Sequence, residues 1–491
     1  MSAAPSSSPL PATTTQELAP GGVSELDFSC RLPLLVFFIS AAIWLIIGSL
    51  LALVASLKFH NPNFLADSPW LTYGRAHPAA TNSVLYGFCL QAGFGVALWL
   101  LARLGRAPLA HRWLVTIGAM FWNLGVTVGV PGILAGDGTG FENLEMPGYA
   151  ALLAFLGYLL IGIWGVVTFH RRRERQLFVS QWFLFTALFW FPWIYSTANL
   201  LLISFPVRGV AQSVIGWWYS QNLQGVWLTL VGLAAIFYFV PKLTNRELHS
   251  HYLALLAYWL LLLFAGWGGI PNTAPVPAWM PTMSTIVSVL ILVPVIAVGL
   301  NVYQTLGRFK VFQTTTPALS FILVGVAAFI LAALFDALGR LFDVNQVLHL
   351  TWFRPGITQL QSYGYFAMVM FGAMYYIMPQ LIGIEFPAPK LVRAHFWVAT
   401  AGVVLSFLPL TIAGVIQALK VQEPTIPFSE IIKSSLVFLR IGTVGDLLLL
   451  TGHALLLYNL AGLTTRFYRA RALAAYEEVT ADLFKTAGAK T

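Results

Sequence analysis

The stretch GWWYSQNLQGVWLTLVGLAAIFYFVPK, residues 216–242, contains a single charged residue, Lys242, at its last position. A helix needs roughly 20 predominantly apolar residues to cross the hydrocarbon core of a bilayer. This stretch is long enough, and its apolar residues do not alternate with polar ones as they do in the lipid-facing strands of a membrane β-barrel. It therefore predicts a membrane-spanning helix.

Comparable apolar runs recur along the whole chain. Together they predict an all-α integral membrane protein with twelve transmembrane helices. The predicted spans are 32–57, 82–103, 113–135, 148–169, 177–203, 213–240, 252–268, 282–304, 316–339, 357–380, 393–418 and 438–463.

The composition of the 491-residue chain supports the same class. Hydrophobic residues make up 58% of it and charged residues 9%, whereas ordinary soluble domains carry about 25% charged residues. So little charge cannot cover a soluble globule of this size, which excludes a soluble enzyme, a disordered chain and a nucleic-acid-binding protein. The partner that composition predicts is the lipid bilayer, and the net charge of +9 is interpreted as a topology signal.

The distribution of Lys and Arg predicts the orientation. Twelve spans place both termini on one side, and most of the 27 Lys and Arg residues fall on that side. The loop HRRRERQ, residues 170–176, is the strongest single determinant. Because Lys and Arg accumulate in cytoplasmic loops, both termini are predicted to be cytoplasmic. The basic residues on the other side are Lys58, Arg75, Arg208, Arg340, Arg354, Lys420, Lys433 and Arg440.

The sequence indicates one membrane domain with short ends. Residues 1–28 are rich in Ser, Thr and Pro, lack the pattern of a signal peptide and are predicted to be a flexible tail. Residues 29–465 form the predicted transmembrane domain, and residues 466–491 the cytoplasmic C-terminal tail. Cys30 and Cys89 are interpreted as two unconnected small apolar residues.

Three ionisable residues fall inside predicted spans and are candidates for function, because buried charge is costly in a membrane. Asp336 lies in the ninth span, and Asp446 and His453 lie in the twelfth. The seven-residue spacing of Asp446 and His453 puts them on one helix face, two turns apart. The alternatives are that they pair through a water, that they relay a proton, or that each is satisfied by a neighbouring helix. We favour the last interpretation.

Several segments resemble subunit I of the haem–copper oxidases, in particular the C-type (cbb-type) branch. The resemblance covers roughly residues 30–465 and includes the twelve spans. The segments that carry it are GWWYSQNLQGVWLTLVGLAAIFYFVPK (216–242), YGRAHPAATNSVLYGF (73–88), FGAMYYIMPQLIG (371–383), AHFWVATAGVVLSF (394–407) and VFLRIGTVGDLLLLTGHALLLYNL (437–460).

The resemblance implies six histidine ligand positions, and none of them holds a histidine in this chain. The low-spin haem positions fall on Ala80 and Gln359, and the high-spin haem position falls on Ile357. The copper position on the sixth helix is Gln221, and the family's tandem histidines fall within residues 265–279, which contain none. Neutral amides are weak metal ligands, and Ala and Ile offer no lone pair.

We therefore expect the protein to bind no cofactor. His77 is the one haem candidate, one turn from Ala80, although it lies directly before Pro78, which is expected in the first turn of the second helix. Asp336 falls where the C-type family has a glutamate near its active site, and it is interpreted as a locally hydrogen-bonded relic. Haem is expected only if the protein is an active oxidase after all.

The resemblance and the lost ligands together predict a redox-inactive, subunit I-like membrane protein. Its expected role is that of a membrane subunit or scaffold of a respiratory or electron-transfer complex, with other membrane or cytochrome c-like subunits as partners, in a bacterial-type plasma membrane. One alternative is an active terminal oxidase or nitric oxide reductase. A second is a transporter or channel that uses the vacated cavity, with a polar path lined by Gln221, Asn222, Gln224, Asp336 and Gln359.

Overall fold

Long α-helices make up most of the molecule. The computed structural model describes residues 18–19, 23–307 and 316–488. Within these ranges, eleven helices are long and apolar enough to cross a membrane, and one further apolar helix, His251–Trp267, is shorter. Each predicted span coincides with one of these helices, so the predicted all-α membrane architecture is confirmed.

We number the helices in chain order. They are α1 (Glu25–Leu57), α2 (Tyr73–Gly105), α3 (Arg112–Ala135), α4 (Gly148–His170), α5 (Val179–Ser204), α6 (Val210–Thr244), α7 (His251–Trp267), α8 (Trp279–Leu306), α9 (Pro317–Arg340), α10 (Phe353–Ile382), α11 (Pro389–Val421) and α12 (Phe428–Gly488). A short helix, Phe342–Leu348, lies between α9 and α10. Ahead of α1, β1 (Leu18–Ala19) and β2 (Val23–Ser24) pair antiparallel.

The first helix begins inside the segment predicted as a tail. Ser24 caps it, because its Oγ accepts a hydrogen bond from the backbone N–H of Asp27 at 3.2 Å. The Asp27 carboxylate in turn accepts a hydrogen bond from Trp99 Nε1 at 2.9 Å and pairs with Arg103 at 3.3 Å. These contacts attach the start of α1 to α2. Residues 1–17 and 20–22 of the predicted tail lie outside the described residues.

The last helix continues past the predicted end of the membrane domain. α12 runs to Gly488, so most of the predicted tail 466–491 is an extension of this helix. The sequence of that extension is rich in Ala, Leu, Glu and Arg, which favour helices. Residues 489–491 lie outside the described residues.

The start of α1 and the distal part of α12 lie at the same end of the bundle. The Arg31 guanidinium stands over the Phe467 ring, 5.0 Å from its centroid. We call this the terminal end. The opposite end, where α1 finishes and α12 begins, is called the cavity end because of the cavity described below.

The second helix starts earlier than the sequence indicates. α2 begins at Tyr73, so Pro78 lies inside the helix rather than in its first turn. That part of the prediction was wrong, and His77 consequently occupies a helical position instead of a helix end. The helix accommodates Pro78 close to its start, and Asn82 Nδ2 donates a hydrogen bond to the Pro78 carbonyl at 2.8 Å.

The core between α2, α3, α5 and α6 is aromatic. The Phe94 ring packs edge-on against Trp122 and Trp227, with centroids 4.9 and 5.5 Å apart. Such edge-to-face pairs add about 0.5–1.5 kcal/mol beyond their buried area. The two cysteines, Cys30 and Cys89, are buried and unpaired.

A polar cluster inside the bundle connects α1, α2 and α3. Gln91 Oε1 accepts hydrogen bonds from Ser40 Oγ at 2.7 Å and from Asn123 Nδ2 at 2.8 Å. Trp44 Nε1 donates to Asn123 Oδ1 at 3.2 Å. Membrane interiors offer no bulk water, so polar side chains there must satisfy one another. This cluster orders the first three helices relative to one another.

Glycines let α11 and α12 approach closely, as small residues do between membrane helices. A Cβ added at Gly445 would lie 2.6 Å from the backbone carbonyl carbon of Leu405, whereas a Cβ at Gly442 would meet nothing within 4 Å. We therefore expect Gly445→Ala to lower the free energy of unfolding by about 1–3 kcal/mol. Gly442→Ala, on the same helix, is the matched control and should leave it nearly unchanged.

Thermal unfolding of the purified variants in detergent, followed by tryptophan fluorescence, measures this difference. Equal melting temperatures for the two variants would contradict the close approach of α11 and α12 at Gly445.

Candidate functional site

A cavity of about 480 Å³ lies at the cavity end of the bundle. Its walls come from α1, α2, α6, α9, α10, α11 and α12 and from the connections between them. Both low-spin haem positions implied by the resemblance, Ala80 and Gln359, line it, and His77 and Asp446 line it as well. The cavity therefore lies where the resemblance places a haem.

Neither Ala80 nor Gln359 presents a haem ligand to this cavity. Ala80 is buried and has no lone pair on its side chain. The Oε1 atom of Gln359 is buried and has no hydrogen-bond partner among the described residues. His77 is accessible, and its ring stacks on Tyr73, with centroids 5.3 Å apart and planes 10° apart. No second histidine occupies the position across the cavity that the resemblance assigns to Gln359.

Short π-helical segments follow three of the ligand positions. They span Ser83–Leu90 in α2, Asn222–Leu228 in α6 and Leu360–Ala367 in α10. Each begins within one turn after Ala80, Gln221 or Gln359. Single π-helical turns inside α-helices are rare and concentrate at functional sites. The backbone around these positions thus departs from regular α-helix at the points where the resemblance places metal ligands.

The position expected for copper is occupied by an ion-pair network. Arg340 donates from Nε to Asp336 Oδ2 at 2.8 Å and from Nη2 to Gln221 Oε1 at 3.2 Å. Arg354 Nη1 contacts the other Asp336 oxygen, Oδ1. The Gln221 amide also donates to the carbonyl of Ala265 at 3.3 Å. We call Gln221, Asp336, Arg340 and Arg354 the arginine cluster.

Residues 265–279 meet the arginine cluster as the resemblance predicts, but without histidines. Gly269 adopts a left-handed backbone with φ of +101°, and a Cβ there would lie 2.7 Å from Gln221 Cβ. Only glycine fits this close approach easily. Ile357, at the high-spin haem position, is buried and lines a small cavity of about 60 Å³ beside the cluster.

These donors do not fit a haem–copper centre. Copper and haem iron need imidazole, thiolate or similar ligands, and in the part of the chain that the structure describes there is no group of three or more His, Cys, Asp or Glu placed to hold a metal. A guanidinium cation instead stands beside Gln221. It carries the same sign of charge as a metal ion, so it opposes metal binding there.

The arginine cluster explains how the negative charge of Asp336 is compensated. Asp336 pairs with Arg340 on its own helix and with Arg354 on α10. Its carboxylate is hydrogen-bonded locally, and the interpretation of Asp336 as a relic of an active site stays a prediction. Sequence reasoning misses the two arginines, because both fall just outside the predicted spans. The four-residue spacing of Asp336 and Arg340 was a usable signal, since residues so spaced face each other on a helix.

Asp446 and His453 occupy different surroundings on α12. Asp446 lines the cavity together with Ser56. His453 is fully buried nearer the terminal end, where its Nδ1 lies 2.7 Å from Ser49 Oγ. The structure therefore places each of them beside α1 and does not pair them directly.

Glu145, in the connection between α3 and α4, also lines the cavity and was not singled out from the sequence. Its Oε2 accepts a hydrogen bond from Asn82 Nδ2 at 2.7 Å. Burial raises the pKa of the Glu145 carboxyl to about 7, although the Asn82 hydrogen bond acts in the opposite direction. The charge of the Glu145 carboxyl in the cavity wall is thus sensitive to pH near neutrality.

The model of the family described as "Cytochrome C and Quinol oxidase polypeptide I" matches residues 33–448. "Cytochrome c oxidase subunit 1 homolog" of Azorhizobium caulinodans is 26% identical over 461 residues, covering 88% of this chain and 82% of the relative. "Cbb3-type cytochrome c oxidase subunit CcoN1" of Stutzerimonas stutzeri is 24% identical over 439 residues, which cover 86% of this chain and 92% of that protein.

A shorter similarity extends to a subunit of the nitric oxide reductase of Stutzerimonas stutzeri. It is 27% identical over 218 residues, which cover 41% of this chain and 44% of that protein.

We expect Arg340→Met to lower the free energy of unfolding by about 3–5 kcal/mol, because removing one partner leaves the charge of Asp336 poorly compensated. Arg208→Met, at an exposed loop position, is the control and should change it by less than about 0.5 kcal/mol. Thermal unfolding in detergent measures both. Equal effects of the two substitutions would show that the cluster does not stabilise the fold.

The raised pKa of Glu145 predicts that the free energy of unfolding of the protein depends on pH. Its folded-state pKa of about 7 lies above the ordinary value of 4.5. The folded state therefore holds the Glu145 proton more tightly than the unfolded state does. The free energy of unfolding is highest below pH 4.5 and falls as the pH rises through 7. We expect Glu145→Gln, which stays neutral, to exceed the parent in stability by about 3 kcal/mol at pH 8 and to match it near pH 4. Unfolding curves at both pH values test this, and parallel pH profiles would refute it.

Proposed function

This chain belongs to the cytochrome c and quinol oxidase polypeptide I family, and we propose that within this family it is a redox-inactive subunit I. It keeps the membrane fold of the family without the haem–copper centre. It acts as a membrane subunit or scaffold, associating with other membrane or cytochrome c-like subunits of a respiratory complex.

The observation that carries the proposal is the hydrogen bond from Arg340 to Gln221. The side-chain oxygen of Gln221, at the copper position, already accepts a hydrogen bond from the Arg340 guanidinium. The positive charge of Arg340 also opposes the binding of a metal cation beside it. At two of the haem positions, Ala80 and Ile357, the side chain has no atom that could bind iron. Together these substitutions remove the means of fixing either haem iron or copper.

A role in a complex is supported by the family relationship. The relative from Stutzerimonas stutzeri is named as a subunit of a cbb3-type cytochrome c oxidase, and the relative from Azorhizobium caulinodans is named as a homolog of cytochrome c oxidase subunit 1. The fold that this chain shares with its family provides the same kind of multi-pass surface for neighbouring subunits. The bias of basic residues supports placement in a bacterial plasma membrane with both termini in the cytoplasm.

Metal and haem content tests the proposal directly. Protein purified from membranes of haem- and copper-sufficient cells should contain well below one haem by the pyridine haemochrome spectrum and well below one copper by elemental analysis. Stoichiometric haem or copper would overturn the proposal and support the rival interpretation, an active terminal oxidase or nitric oxide reductase.

Restoring the low-spin ligands tests whether the cavity is the vacated haem site. Because Ala80 and Gln359 line one cavity, we expect the double variant Ala80→His, Gln359→His to bind haem with the absorption spectrum of a six-coordinate, low-spin centre. The single variants are the controls and should not show it. A double variant that is folded but binds no haem would contradict this assignment of the cavity.

Association is tested separately. The protein, solubilised mildly from its native membrane, should migrate in native gels as a complex that contains haem from its partner subunits. Migration as a free chain, with no other subunit, would argue against the scaffold role even if the protein holds no haem.

A transporter or channel is the second candidate function, and the polar wall of the 480 Å³ cavity favours it. Proteoliposomes in a light-scattering shrinkage assay with potassium acetate or glycerol would detect such a path. A permeability that Asp446→Asn does not change would count against it.

A further inference from the structure

Three arginines from three helices meet at the terminal end of the bundle, far along the chain from one another. They are Arg31 on α1, Arg112 at the start of α3 and Arg471 on the extension of α12. The Arg31 guanidinium stands over both the Phe28 and the Phe467 ring, 5.1 and 5.0 Å from their centroids. Arg112 stands over Phe28 at 4.9 Å, and Arg471 over Phe467 at 5.3 Å. We call Arg31, Arg112 and Arg471 the terminal arginines.

The shared rings hold these like charges close together. Arg31 and Arg112 both stand over Phe28, so their guanidinium carbons cannot be farther apart than the sum of the two distances, about 10 Å. Salt screens exposed charges over about 8 Å at physiological ionic strength, and partly buried charges are screened less. The rings attract the cations, but they carry no net charge, so the repulsion between the arginines remains.

Arg31 has the greatest need of an anion, because it is only 8% exposed. Its Nε donates a hydrogen bond to the Leu381 carbonyl at 2.6 Å. A carbonyl oxygen and aromatic rings are neutral partners, whereas buried arginines are almost always paired with an opposite charge. The guanidinium also keeps two terminal amino groups that form no hydrogen bond with a described residue, and these are available as donors.

The carboxylate best spaced to pair with Arg31 is used elsewhere. Asp27 lies four residues before Arg31 on α1, a spacing that favours an ion pair on one helix face. The Asp27 carboxylate instead accepts a hydrogen bond from Trp99 Nε1 and pairs with Arg103. Among the side chains that the structure describes, no Asp or Glu forms an ion pair with any of the terminal arginines.

The terminal arginines lie where membrane helices begin and end. Arg112 is the first residue of α3, and Leu381, which accepts from Arg31, is the last residue but one of α10. Trp113 and Tyr468, next to these contacts in sequence, are both more than half exposed. Exposed Trp and Tyr side chains concentrate at the interface between membrane and water. This places the terminal arginines at the depth of the lipid headgroups.

An exposed apolar stripe on α3 starts beside the terminal arginines. The Arg112 guanidinium stands over the Trp113 ring as well, 5.8 Å from its centroid. From there, exposed apolar side chains recur every three or four residues along one helix face. They are Trp113, Ile117, Met120, Leu124 and Val128. A ligand with an anionic head and apolar chains would contact both the arginines and the stripe, whereas a free anion would contact the arginines alone.

We propose that the terminal arginines bind the phosphate of an anionic phospholipid, whose acyl chains lie along the exposed stripe of α3. Guanidinium groups present paired donors that match the oxygens of a phosphate. Basic pockets between membrane helices recognise anionic headgroups in this way. A zwitterionic phospholipid carries its own cation beside the phosphate, so it compensates the three arginines less well. The site lies at the opposite end of the bundle from the cavity.

Native mass spectrometry of the full-length protein tests the preference. The protein is released from micelles that contain equal amounts of phosphatidylglycerol and phosphatidylcholine with the same acyl chains. We expect the parent to retain phosphatidylglycerol at least about fivefold over phosphatidylcholine. Each arginine near a headgroup contributes roughly fivefold in affinity, so the double variant Arg112→Gln, Arg471→Gln should weaken phosphatidylglycerol binding by at least about tenfold.

The double variant Arg466→Gln, Arg469→Gln is the matched control. Both residues are exposed on the same extension of α12, and the net charge changes by the same amount. The control should bind phosphatidylglycerol like the parent. Equal losses in the two double variants would show that only net charge matters and would overturn the proposal. A parent that retains both lipids equally would overturn it too, and would favour an acidic segment of a partner subunit as the anion.

Melting temperatures in detergent separate a lipid from a free anion. A ligand that binds only the folded state raises the melting temperature, so phosphatidylglycerol should raise that of the parent more than phosphatidylcholine does. Inorganic phosphate at the same concentration should have no such effect, and an equal rise would overturn the assignment to a lipid. The Arg112→Gln, Arg471→Gln variant keeps the buried Arg31, so it should fold but lose the response to phosphatidylglycerol. None of these outcomes bears on the metal content by which the redox-inactive role is judged.

Discussion

Inside a bilayer, each polar side chain must find its partner within the protein, and the rest of this structure follows from that constraint. Asp336 shows how strict it is. Its carboxylate lies one turn before the end of α9, and two arginines, Arg340 and Arg354, pair with it. Gln91 and Asn123 meet the same demand with neutral partners in the first three helices. At these places the packing of the neighbouring helices is organised around the polar group that the sequence puts in a span.

The same constraint applies at the positions where the resemblance places metal ligands. A histidine that binds a metal uses the lone pair of one ring nitrogen for the metal. Gln221 has an amide instead, which requires hydrogen-bond partners, and these are Arg340 and the Ala265 carbonyl. The backbone around the site has π-helical turns, and a cavity of about 480 Å³ lies beside it. A cavity thus lies beside side chains that do not suit a metal, which is the basis for proposing a subunit without redox activity.

Much of the fold could be predicted because its signals are local. Apolar runs located the eleven long helices of the described ranges, and the shorter α7 lies where the seventh span was predicted. The end of a helix was harder to predict: α2 begins before Pro78 and α12 continues to Gly488. In α12 the residues past the predicted span are rich in Ala, Leu, Glu and Arg and still favour helix, although they are too polar to be counted as a membrane span.

Residue type and order along the chain were enough to establish the membrane class and the approximate spans. Two other features emerged only once the helices were packed together: Arg354 reaches Asp336, and Arg31 stands over Phe467. The partners in each pair come from different helices, so their meeting depends on how those helices are arranged. Side-chain pairing across helices is a property of three-dimensional contact, which no local pattern in the chain encodes.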